Sequence, residues 1–191
     1  MKKYRFQVFI FWFLFTSGVI SIYCVFYLAS IGYFGEMPDF RQLENPRTNF
    51  ASEIISSDNK VLGKYYFNDN RTPIEYEDIS PETINALIAI EDERFYSHPG
   101  IDLKATLRAI IFLNQRGGAS TITQQLARQL FVGVRSRNIF QAITQKIKEW
   151  VIAVRLEKQY TKEEILTMYL NIYDFGYYGD GIKSASNIYF S

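Results

Sequence analysis

One carboxylate stands out by position: Glu91 opens the run Glu91-Asp92-Glu93-Arg94-Phe95-Tyr96-Ser97-His98-Pro99-Gly100. Upstream of Glu91, Ile84, Leu87 and Ile88 recur at the spacing of a buried helical stripe. The next positions on that stripe are Glu91 and Phe95. Glu91 therefore stands where an apolar side chain is expected. An ionised carboxylate in such a place is costly unless it is paired, and burial favours the protonated form of carboxyl groups. A carboxyl group tuned in this way can serve as a general base or acid. The plainer alternative is a carboxylate at a helix end, paired with Arg94, and helix geometry alone favours it.

The other polar groups have plain readings too. Ser120 and Thr121 stand at an expected helix start and are helix caps on that ground. Lys146 with Glu149 is an i,i+3 pair that fits a solvated helix face. His98 is the only histidine, so a histidine-cluster metal site and a triad using a second histidine are both excluded. Next to Pro99-Gly100, it reads as a hydrogen-bonded turn residue supporting the Glu91 loop.

The elements that must position these groups follow from local pattern. Between residues 6 and 35 there is no charged residue, a longer run than the roughly 20 residues a helix needs to cross a bilayer. Lys2, Lys3 and Arg5 precede it, and Glu36 and Asp39 follow, so the N-terminus is expected in the cytoplasm and the rest outside. The run is too long for a typical signal-peptide core, and Tyr23 before Cys24 argues against a lipoprotein cleavage site. Cys24 is the single cysteine and is read as a packing residue. Aromatic residues make up 17%, many of them near the N-terminus, which fits a membrane segment. The net charge of +1 gives no electrostatic case for nucleic acid.

Residues 31–49 read as an irregular linker. Residues 51–55 and 61–67 read as two strands of a hairpin around Ser57-Asp58-Asn59-Lys60. Ser80 and Pro81 open a helix. Asp102 caps another, with Leu103, Leu107, Ile110 and Ile111 as its apolar stripe, Asn114 near its end and Gly117-Gly118 as its stop. Thr121 with Gln124 and Thr161 with Glu164 fit capping boxes. The first of these helices is expected to run from Thr121 to about Phe131. Between them, a long helix is expected to carry Phe140, Ile143, Ile147, Trp150, Val151 and Val154 on one face and Gln145, Lys148 and Glu149 on the other. The chain ends at Ser191 just after a further helix start, so the domain is expected to continue past it.

Four stretches, in this order, resemble the peptidoglycan glycosyltransferase family, the glycan-polymerising domain of class A penicillin-binding proteins and of monofunctional transglycosylases. The run from Glu91 to Gly100 fits E-D-x-x-F-x-x-H-x-G throughout. Gly118-Ala119-Ser120-Thr121-Ile122-Thr123-Gln124-Gln125 matches G-x-S-T-I-T-Q-Q in full. Gln145-Lys146-Ile147-Lys148-Glu149 stands where the family has R-K-x-x-E. Lys162-Glu163-Glu164-Ile165-Leu166-Thr167-Met168-Tyr169-Leu170-Asn171 is close to K-x-x-I-L-E-x-Y-L-N. Two departures stand out. Gln145 removes a fixed cation that would face phosphate, and Thr167 replaces a glutamate read as structural.

The resemblance implies a mainly α, lysozyme-like glycosyltransferase domain at 80–191, incomplete at its C-terminus. It would follow a cytoplasmic tip and transmembrane helix at 1–35 and a linker with a β-hairpin at 36–79. It also implies polymerisation of lipid II into β-1,4 glycan, with inversion and release of undecaprenyl pyrophosphate. Glu91 would be the base and Glu149 the second carboxylate, on the donor side. Asp92, Phe95, His98, Ser120, Thr121, Gln124, Gln125, Arg128 and Lys146 would form the substrate site, with Lys146 and Arg128 as cations for the pyrophosphate. The helix start at Ser120–Gln125 would offer free N–H groups to an anion or sugar. No cofactor is certain; a divalent cation such as Mg2+ often supports activity in the family, with Glu149 as its place, although no metal-ligand spacing shows one. The implied partners are lipid II, the nascent glycan strand, the bacterial cytoplasmic membrane and the cell-wall synthesis machinery. Two rivals stay open: a glycan-cleaving hydrolase on the same fold, with Glu91 as acid, and an inactive glycan-binding scaffold.

Overall fold

The computed structural model describes residues 2–38, 52–65, 71–112, 118–177 and 179–190. Helix α1, Lys2–Ser30, is apolar all round. Its segment Tyr4–Ser30 has a mean hydropathy of 2.2 and is long and apolar enough to cross a membrane. Strands β1 (Ser52–Ile55) and β2 (Val61–Tyr65) pair antiparallel, with Ser52 opposite Tyr65 and an irregularity at Ile54/Ile55. Their turn closes where Ser56 N–H donates to the Lys60 carbonyl, and Asn59 supplies the positive φ of 60°. The expected hairpin is therefore present. Ala51, Phe67, Asn114, Gly117 and most of the expected linker lie outside the described residues.

The remaining helices carry the core. Helix α2 (Pro81–Glu91) starts as expected, with the Ser80 side chain accepting from Thr83 N–H and Pro81 in the first turn. Helix α3 (Leu103–Ile111) is capped by Asp102, which accepts from Ala105 N–H. Helices α4 (Ile122–Ala127), α5 (Ile139–Gln159) and α6 (Lys162–Ile172) follow, and α7 (Ile182–Phe190) closes the described chain. The expected capping box at Thr161 and Glu164 forms in both directions. Ile122 and Leu126 from α4, Ile152 and Leu156 from α5, and Ile165 and Leu166 from α6 interlock around Phe95, and all are essentially buried.

Three local readings are corrected. The helix expected from Thr121 to Phe131 is α-helical only to Ala127, after which Arg128–Val132 form a π-helical turn. The stripe of α3 faces outward: Leu103, Leu107 and Ile111 are exposed, while the small Ala105 turns inward. The faces of α5 also differ from those expected, with Glu149 turned to the core and Lys148 on the side of Trp150. Glu149, Ile152, Ala153 and Leu156 point into the core. Trp150, from the expected apolar face, instead stacks on Phe26 of α1, with ring centroids 5.8 Å apart. The chain after α1 is held to the same face of α5. Arg155 Nη2 donates to the Ser30 carbonyl (3.0 Å) and Lys148 Nζ to that of Glu36 (3.3 Å). A periodic stripe shows only that apolar side chains gather on one side; here α1 meets that side at Trp150, Phe140 and Ile143 stay exposed, and the core takes another face.

Candidate active site

Glu91 is the last residue of α2, where the helix gives way to an irregular turn at Asp92. It is half-buried and lines a cleft of about 230 Å³ together with Arg94, Arg108 and Ser120. Its carboxylate does not pair with Arg94, as the plainer reading expected. Arg94 instead reaches Asp102 Oδ2 through Nε (2.8 Å) and Nη2 (2.6 Å). Burial pushes the Asp102 carboxyl up, but the Ala105 N–H and Arg94 outweigh it and hold it below the ordinary aspartate range. Glu91 Oε2 accepts from Gln125 Nε2 at 2.7 Å. Gln125 Oε1 in turn accepts from the Tyr169 hydroxyl at 3.2 Å, and burial first, then Glu91, raise the pKa of that hydroxyl. The base candidate is thus held by a neutral amide that is itself fixed from α6.

The loop after Glu91 is locked beneath it. His98 Nε2 faces both oxygens of Asp92 at 3.0 and 3.1 Å, the arrangement of an N–H donated to a carboxylate. Asp92 Oδ2 also accepts the N–H of Ile122, in the first turn of α4, at 3.1 Å. Gly100 has φ +88°, and a Cβ there would lie 2.9 Å from the Ala153 carbonyl oxygen, so the loop lies directly on α5. Lys162 donates to the His98 carbonyl at 2.8 Å, pairs with Glu157, and lies over the Phe95 ring at 4.2 Å.

On the other side of α4, Lys146 and Glu149 form a network with little solvent access. Lys146 Nζ donates to Ser120 Oγ (2.7 Å), Gln124 Oε1 (3.1 Å) and Glu149 Oε2 (2.9 Å). An ammonium has three hydrogens, so its donors are all occupied. The pair is no solvated helix face, since the Glu149 side chain is only 6% exposed. Burial lowers the Lys146 pKa, Glu149 raises it, and Arg128 and Arg135 lower it further. The Arg128 side chain, in the π-helical turn, has no hydrogen-bond or ion-pair partner among the described residues.

The structure sorts the expected site residues into two groups. Glu91, Ser120, Gln125, Arg128, Lys146 and Glu149 come together around the first turn of α4 and the π-helical turn. Asp92, Phe95, His98, Thr121 and Gln124 are buried, with Phe95 fully so, although Asp92 and Thr121 also border the cleft that Glu91 lines. Two of the N–H groups at the start of α4 are already taken, that of Ile122 by Asp92 and that of Gln124 by Thr121 Oγ1. The capping box there is half formed. Gln124 turns its side chain to Lys146 and to the Gly100 carbonyl instead of returning to Thr121. Arg135 and Tyr169 belong to the surroundings of the site and were missed by the sequence reading, which had no spacing rule linking either to the carboxylates. Glu149 has an ammonium bonded to it, and no group of three His, Cys, Asp or Glu side chains among the described residues could hold a metal ion. With that ammonium in place, Glu149 does not fit a divalent cation.

Comparison with known proteins bears on this arrangement. The family described as Transglycosylase matches residues 58–191. Penicillin-binding protein 1A of Escherichia coli is 37% identical over 159 residues, covering 81% of this chain and 18% of its own length. Penicillin-binding protein 1A of Vibrio cholerae is 34% identical over 178 residues, covering 91% of this chain and 20% of its own. Penicillin-binding protein 2a of Streptococcus pneumoniae is 43% identical over 119 residues, covering 62% and 16%. The chain thus spans about a fifth of the length of the curated relatives it matches.

Proposed function

This chain belongs to the transglycosylase family, and from that premise we propose that it polymerises lipid II into β-1,4-linked glycan for the bacterial cell wall. The 4-hydroxyl of an acceptor GlcNAc attacks C1 of a donor MurNAc. Glu91 takes the hydroxyl proton, the C1–O bond to undecaprenyl pyrophosphate breaks, and the configuration at C1 inverts. The observation that carries this reading is the placement of the Glu91 carboxylate, in an open cleft and held among the described residues by Gln125 alone. Ser120 lines the same cleft and accepts from Lys146, so its own hydroxyl hydrogen is left to donate to a leaving oxygen. Arg128 brings a fork-shaped cation with no competing partner among the described residues. Glu149 keeps Lys146 charged and in place behind Ser120.

The domain division that goes with this reading is a membrane segment at 1–35, a linker with hairpin at 36–79 and the glycosyltransferase unit at 80–191. The basic N-terminus lies in the cytoplasm, and the site works at the outer face of the cytoplasmic membrane. The apolar helix, bound to α5 through Phe26 and Ser30, supports that placement. The test is the chain in detergent with lipid II, scored for polymer and released undecaprenyl pyrophosphate. Cleavage of preformed glycan without a lipid pyrophosphate donor would replace this reading with that of a hydrolase. A reporter fused after residue 49 checks the orientation, and cytoplasmic activity of that reporter would deny the site its substrate.

A further inference from the structure

The third motif departs from its family at Gln145, and the structure gives that side chain a definite task. Gln145 Oε1 accepts the N–H of Ser136 at 2.8 Å, and Gln145 Nε2 donates to the carbonyl of Val134 at 3.1 Å. The two backbone groups flank Arg135. The amide therefore brackets that residue as a strand partner would, in a connection between the π-helical turn and α5 with little else to fix it. Ser136 adds its own ties, accepting from Asn138 N–H and donating to Gln141. An arginine at 145 could not accept the Ser136 N–H, since a guanidinium has donors only.

We propose that Gln145 is a positioning residue that holds Arg135 at the rim of the Lys146–Ser120 cluster, and that Arg135 supplies there the cation for a lipid-linked pyrophosphate that the third motif lacks. The inference rests on the functional reading above for its ligand. Three features support it besides the bracket. Arg135 is exposed and free to meet a ligand. Its charge, like that of Arg128, disfavours the charged form of Lys146, in keeping with its place beside the Gln145–Lys146 step of α5. The donors of Lys146 are already occupied within the protein, whereas the guanidinium groups of Arg128 and Arg135 can give new charge-assisted hydrogen bonds.

The test is equilibrium binding of undecaprenyl pyrophosphate to the full chain in detergent micelles, a readout that does not need turnover. Arg135→Ala should weaken binding about tenfold, in line with the loss of one charge-assisted contact. Arg135→Lys should recover part of this, and Arg137→Ala on the same connection should stay within about twofold. Gln145→Ala should weaken binding nearly as much as Arg135→Ala, and the double variant should be no weaker than Arg135→Ala alone, because both act through one contact. Gln145→Arg in the Arg135→Ala background should restore binding by returning the cation directly. Unchanged binding by Arg135→Ala, or single losses that multiply in the double variant, would overturn the assignment. A wild-type chain that binds the lipid pyrophosphate in this pattern but does not polymerise lipid II would count against the functional reading and leave Arg135 assigned.

Discussion

Glu91 and Glu149 are the same side chain in opposite settings. Glu91 ends a helix, borders open space and has a neutral amide as its hydrogen-bond donor. Glu149 lies mid-helix, faces the core and is bonded to an ammonium that is itself anchored twice more. The first can gain and lose a proton without breaking an ion pair. The second cannot, because protonating it would strand a poorly solvated lysine. On the proposed reading the contrast separates a group that moves a proton from one that holds charge in place; helix α4 stands between them, with Gln125 turned to one and Gln124 to the other's lysine.

The largest expected effect comes from removing the proton-moving group. Glu91→Gln keeps the shape and the Gln125 contact and should lower polymerisation by about 10²–10⁴-fold, with the melting temperature nearly unchanged. Near-normal turnover by the folded variant would erase the contrast. Lys146→Ala should act on stability as well as rate, costing about 2–3 kcal/mol because it leaves a buried carboxylate without its partner. Denaturant unfolding checks this, and a loss under about 0.5 kcal/mol would return the pair to the class of surface salt bridges.

Gln125→Leu should reduce turnover by about tenfold while leaving folding within about 1 kcal/mol, since it removes one hydrogen bond to a carboxylate. If turnover stays normal, Glu91 is oriented by something other than α4. The smallest effect is on pH dependence. The folded pKa of Lys146 lies below the ordinary 10.5, so the unfolded chain keeps the extra proton longer. The stability contribution of this group therefore rises with pH between the two values, while a rate that needs the ammonium falls across the same window. Lys146→Arg, which stays charged, should move the alkaline limb of the pH–rate profile upward. An unmoved limb would assign it to another group.

Much was readable from local chemistry. Ser80, Asp102, Thr121 and Thr161 were legible as helix caps because each bonds a backbone group three residues on. The apolar helix needed only composition, and the hairpin only its turn residues. The motifs placed Glu91, Ser120, Gln125 and Glu149 on the candidate list. What the sequence could not divide was that list itself. Asp92 became a support only because the N–H of Ile122 reaches it from 30 residues away. Lys146 lost its free donors only because Ser120 and Gln124 come to it across 26 and 22 residues. Gln145, a lost cation by comparison with the family motif, became a bracket around Arg135 only once the connection folded back on α5. Short-range hydrogen bonds and hydrophobic period are properties of a segment, so the sequence determines them. Which face meets which neighbour, and hence which polar group is left to meet a substrate, depends on distant segments packing together, and only the tertiary structure decides it.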